Sequence, residues 1–100
     1  MTPQDIINQV SQIVSIPREE ILGPYREIPI CNARYLIAWG VKQIRPNYSQ
    51  AQVSRVFGKI GHGYGRDCLQ RADDLYLGCS GFRSLRDRLE LFIKAQEVAA

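Results

Sequence analysis

Residues 47–75, NYSQAQVSRVFGKIGHGYGRDCLQRADDL, decide how this chain is read. Ser49 can act as an N-cap, its hydroxyl taking a free backbone N–H, and Gln52 three residues on closes a capping box. Val53, Val56 and Phe57 fall at helical spacing, which predicts a short helix over 50–57 with one buried face. Gly58 ends it, because the residue past a helix end often takes a positive φ that glycine adopts without steric cost. After the turn 58–61 a second helical pattern begins near His62. Cys68, Leu69, Ala72, Leu75 and Tyr76 share its inner face, with Tyr64, Arg66, Gln70 and Arg71 towards the outside. A short helix, a glycine turn and a second helix with a polar, basic front form a helix-turn-helix pattern.

The residues before this stretch are also helical. Thr2-Pro3 is a helix start, a capping hydroxyl followed by a ring that fixes a helical φ. Ile6, Ile7, Val10, Ile13 and Val14 make the following helix amphipathic up to about Val14. Ser15-Ile16-Pro17 breaks it, 18–22 is a further turn or two with acids at its positive end, and Gly23-Pro24 stops that piece. Residues 25–28 read as a loop. A long helix is predicted over 29–44, with Ile30, Ala33, Ile37, Val41 and Ile44 as its stripe and Leu36 and Trp39 widening it. Gly40 inside it costs about 1 kcal/mol relative to alanine, which points to close helix contact beside Trp39.

On the other side, residues 77–81 read as a break and 82–98 as a final helix. Its stripe is Phe82, Leu85, Leu89, Phe92 and Ile93, with Arg83, Arg86, Arg88 and Lys94 supplying charge. The expectation is one all-α domain over 1–100 with five or six helices. One hundred residues suffice for one hydrophobic core. A net charge of +3 and a pI near 8.9 are compatible with a polyanionic partner without demanding one. No apolar run reaches the ~18 residues of a membrane span and no signal-peptide pattern opens the chain, so a cytoplasmic location is expected. Cys31, Cys68 and Cys79 lack any C-x-x-C pair and fit reduced thiols, Cys31 and Cys68 as small buried hydrophobes.

In this order of elements the chain resembles the C-terminal DNA-binding domain, domain IV, of the bacterial replication initiator DnaA. The resemblance rests on the Ile16–Leu22 segment I-P-R-E-E-I-L, a basic loop containing Arg26, and the long helix carrying Asn32-Ala33-Arg34. It continues through Ser49, Val53, Phe57 and Gly58 into the family's F-G-G-R-D-H-[ST]-T-V signature. Without gaps that signature falls on residues 57–65 and keeps the histidine as His62. Its acidic residue is replaced by Gly61 and its two hydroxyl residues by Gly63 and Tyr64. Aligning Gly65-Arg66-Asp67 with the family's G-R-D instead would bury Arg71 and Asp74, so the ungapped register is preferred.

The resemblance implies a Trp-repressor-like helix-turn-helix domain that binds double-stranded DNA. Arg26 would enter the minor groove and the helix start at His62, Gly63 and Tyr64 would read the major groove. Gln50 and Ala51 would approach the bases, and Arg34, Lys42 and Lys59 would contact the backbone. Arg66 joins them on the basic front of the second helix. The nucleotide-binding motor domain has no counterpart, so the expected role is a stand-alone, nucleoid-associated regulator of replication initiation or transcription.

No catalytic, metal or cofactor site is expected. The run Gly58–Gly65 has neither the spacing nor the strand context of a nucleotide-binding loop, and His62 is the only histidine. Trp39, Tyr35 and Tyr76 read as core or core-edge aromatics. The rival expectation is a protein-interaction module that kept the fold and lost DNA reading, with Phe82, Leu85, Leu89 and Phe92 of the last helix burying against a partner or a second copy.

Overall fold

The computed structural model describes residues 1–99, and among them it contains helices and no strand. α1 spans Pro3–Val14, α2 Arg18–Ile21, α3 Ile28–Ile44, α4 Gln50–Val56, α5 Gly63–Gly78 and α6 Ser80–Ala99. The capping box expected at Ser49 forms, and the Thr2 cap proves to be a second one with Asp5. Thr2 and Asp5 exchange backbone-to-side-chain bonds of 2.8 and 3.2 Å, and Ser49 and Gln52 do so at 2.7 and 3.1 Å. α1 ends at Ser15 with φ 57°, where the Ser11 hydroxyl donates to the Ile16 carbonyl at 2.6 Å. Arg18 of α2 reaches back to the side chains of Gln4 and Asn8 on α1.

α3 is the axis of the molecule. Leu36, Ile37, Ala38, Trp39, Gly40 and Val41 are buried in succession, which a helix achieves only when neighbours pack around its whole circumference. α1 contributes Ile6, Ile7 and Val10 to the main core, α2 Ile21, α5 Ala72, and α6 Phe82, Leu89 and Ile93. On another side of α3, Ala38 meets Val53 of α4 and Cys68 of α5 in a smaller cluster. The close contact expected at Gly40 is present. A Cβ there would stand 2.8 Å from methyl carbons of both Ile6 and Leu89, so glycine lets α1 and α6 close over α3. Trp39 is only 6% exposed, and the Arg86 guanidinium covers it at 4.4 Å from the ring centre and Tyr76 at 4.0 Å.

Several expectations are corrected. The break at 77–81 contracts to Cys79, because α5 runs on through Leu77 and Gly78. Arg83 makes this possible by donating to the Tyr76 and Leu77 carbonyls at 2.9 and 3.2 Å, which satisfies groups the helix end leaves free. The α6 stripe is not a free surface. Phe82, Leu89 and Ile93 are buried in the chain's own core, and Leu85 and Phe92 lie half-buried against it. Cys68 is buried as expected, but Cys31 is half-buried, its thiol 3.5 Å from the Arg26 carbonyl.

Truncating a buried large aromatic costs about 3–5 kcal/mol, and in a domain of this size each kcal/mol shifts Tm by about 4–8 °C. Trp39→Ala is therefore expected to lower Tm by at least ~12 °C. Thermal melting followed by circular dichroism checks this; a shift of a degree or two would show that the Trp39 side chain is dispensable to the core.

Candidate nucleic-acid interface

The joint between α4 and α5 is built on one hydroxyl. Ser54 is fully buried, donates to the Gln50 carbonyl at 3.0 Å and accepts the Gly65 N–H at 2.7 Å. That N–H is one of the donors a helix start leaves without an intrahelical partner, so α4 caps α5 from outside. His62 holds the N-cap position of α5 and makes no side-chain cap bond. The backbones are close enough that a Cβ at Gly65 would run into the Gln50 carbonyl oxygen and lie 2.9 Å from the Ser54 amide and hydroxyl. Between the helices, residues 57–62 turn through Gly58 at φ 73° and Gly61 at φ 86°.

Aromatic contacts brace the turn. Phe57 meets Tyr64 edge-on with ring centres 5.4 Å apart, and the Lys59 ammonium lies 5.6 Å from the centre of the Tyr64 ring. Tyr64 is thus half-buried and packs on the smaller cluster with Phe57, against its expected outward position. The ring packs beside Phe57, from the end of α4, against Ala38, Val53 and Cys68, contacts that bury part of its surface. Burial pushes the Tyr64 phenol up to about 12 and the Cys68 thiol beneath it up to about 11, so both stay protonated near neutrality.

The loop between α2 and α3 lies against this turn across a groove of about 520 Å³. Arg26, Arg34 and Lys59 line it together with Tyr25, Tyr35 and Tyr64, and none of its lining residues is acidic. Among the described residues, the Arg26 and Lys59 head groups have no carboxylate partner. Arg34 has a different task. Its Nε donates to the Ile21 carbonyl and its Nη2 to the Gly23 carbonyl, both at 2.6 Å, pinning the end of α2 and the loop to α3.

The other candidate residues divide into two groups. His62, exposed, and Gly63, half-buried, begin α5, and the exposed Arg66 side chain pairs loosely with Asp67 at 3.4 Å. Gln50 is exposed and Ala51 half-buried at the start of α4. Lys42 does not join the groove. Its Nζ donates to the Pro46 and Tyr48 carbonyls at 2.9 and 2.6 Å and fastens the α3–α4 turn. Along α5, Cys68 and Ala72 are buried while Arg71 and Asp74 are exposed.

Two features had no place in the sequence reading. Ser54 acts on a residue eleven positions away, a pairing no local spacing signals. Ile60, an aliphatic residue inside a glycine turn, is 99% exposed; its mismatch with polar turn chemistry was the available signal. Among the described residues no group of His, Cys, Asp and Glu side chains could hold a metal ion, and no helix is long and apolar enough to cross a membrane. Scans of family models, curated proteins and solved structures return no match for this chain.

Gly65→Ala should force α4 and α5 apart at an overpacked crossing, a class of change that costs about 1–3 kcal/mol. Gly63 has no neighbouring atom within 4 Å of an added Cβ. Gly63→Ala is therefore expected to melt within about 3 °C of the parent and Gly65→Ala several degrees below it. Equal melting of the two variants would remove the close crossing as the determinant of α5's placement.

Proposed function

We propose that this chain binds double-stranded DNA, with α4, the turn 57–62 and α5 acting as a helix-turn-helix and the α2–α3 loop as a second contact. The observation that carries this reading is the groove free of acidic lining where Arg26 and Lys59, from separate elements, converge beside the start of α5. Two unpaired cations on a surface without carboxylates favour a polyanion, and phosphate contacts of this kind set register along a duplex. The exposed N-terminal end of α5 suits the major groove, where His62 would meet base edges and Gly63 would let the backbone approach. Arg26, on a loop, suits the narrow and negative minor groove next to it. Gln50 and Ala51 at the start of α4, and Arg66 on α5, would flank the site.

By its resemblance to the initiator's DNA-binding domain, the biological use would be regulation of replication initiation or transcription by occupying sites on the bacterial nucleoid. A second reading, a protein-interaction module on the same fold, is favoured by one observation. Arg34 and Lys42, both expected on the DNA backbone, bind the chain's own carbonyls.

Salt separates the two readings. With about five phosphates neutralised, log K for duplex DNA should fall against log salt with a slope of roughly −4 to −5. Absent or salt-indifferent binding in a fluorescence-anisotropy titration would leave the interaction module as the better account.

Sequence preference should divide by groove. Arg26→Ala is expected to weaken binding and flatten preference at an A·T-rich end of the site. His62→Ala should relax one or two base pairs, each worth about 1–3 kcal/mol. Gly63→Thr, which restores the family's residue type, should shift the profile towards the initiator's box. Selection from random duplexes reads all three, and profiles identical to the parent's in every variant would refute the site assignment.

A further inference from the structure

Ile60 is held out of the protein by its backbone. It stands 99% exposed at the tip of the turn, between Gly58 at φ 73° and Gly61 at φ 86°. Both glycines occupy the region that ordinary side chains avoid, so the turn itself lifts the isoleucine into solvent. A single exposed aliphatic residue is ordinary. Its surroundings are less so. Lys59, one residue before it, faces Arg26 across the groove, and His62, two residues after it, caps α5.

A duplex touching both Lys59 and the start of α5 would run close to Ile60, which lies between them in the chain and is 99% exposed. On the base edges of the major groove the C5 methyl of thymine is the bulkiest apolar group, standing among donors and acceptors of hydrogen bonds. An isoleucine placed among cationic contacts has that methyl as its matching surface.

Resting on the DNA-binding reading, we infer that Ile60 is a specificity-determining residue that selects a thymine by covering its C5 methyl group. The contact needs no rearrangement of the fold, because the side chain is already clear of its neighbours. It also adds apolar selectivity to a helix start where Gly63 offers no side chain to read a base.

The test replaces each thymine of the selected duplex by uracil, which pairs identically and lacks only the methyl. For the parent, one or two positions should each weaken binding about fourfold, the equivalent of one buried methylene-sized group. The same replacements should leave the affinity of Ile60→Ser unchanged, while Ile60→Val should retain most of the discrimination. Both variants alter a solvent-exposed side chain, and their circular-dichroism melts should overlay the parent's. A parent indifferent to every thymine-to-uracil replacement overturns the inference while leaving DNA binding in place. So does discrimination that persists in Ile60→Ser. A parent that binds no duplex at low salt overturns both this inference and the function it rests on.

Discussion

Burial of α3 around its whole circumference constrains where every other helix can go. With Leu36 to Val41 buried in succession, α1 and α6 close on α3 where Gly40 removes the side chain that would hold them off. α4 and α5 pack elsewhere on it through Ala38, Val53 and Cys68. Each surrounding helix directs its apolar stripe at this one axis. What remains outward is polar faces, turns and the loop leading into α3, and the candidate interface is assembled from those parts.

Within that arrangement Ser54 orients the pair that faces outward. One hydroxyl serves as donor to its own helix and acceptor from the next, so its burial leaves no hydrogen-bonding capacity unmet. Among the described residues no buried side-chain nitrogen or oxygen lacks a partner. Removing Cβ at residue 65 is the other half of the device, because the hydroxyl reaches the amide only if the backbones nearly touch. The first turn of α5 is thereby fastened to α4 at Gly65.

The basic residues are not one population. Arg34, Lys42 and Arg83 bind main-chain carbonyls at helix ends and turns, and Arg86 lies on Trp39 and Tyr76. These cations work inside the architecture, where carbonyls hold Arg34, Lys42 and Arg83 and two aromatic faces, with the Asp73 carboxylate at 3.9 Å, hold Arg86. Arg26, and Lys59 beside the Tyr64 ring, face a groove without acidic lining and have no carboxylate partner among the described residues. A net charge of +3 conceals this division, since it weights a capping arginine and a free one equally. The proposed reading depends on the free ones.

The sequence by itself determined that the chain is helical, roughly where most of the helices lie and which apolar stripe each buries. Capping residues act within three or four positions and apolar periodicity within a turn or two, so Thr2, Ser49, the α1 stripe and the inner face of α5 were legible before any packing was known. Gly40 also declared a close contact, although not its partners. Tertiary structure decided the rest, because the deciding interactions join residues distant in sequence. Tyr64 packs inward beside Phe57 from the end of α4 and on the cluster of Ala38, Val53 and Cys68, and Arg34 is bound by carbonyls of another element. The last helix kept its stripe for Ile6, Trp39 and their neighbours rather than for a partner. Periodicity shows that a face is apolar, and only the assembled fold shows what covers it.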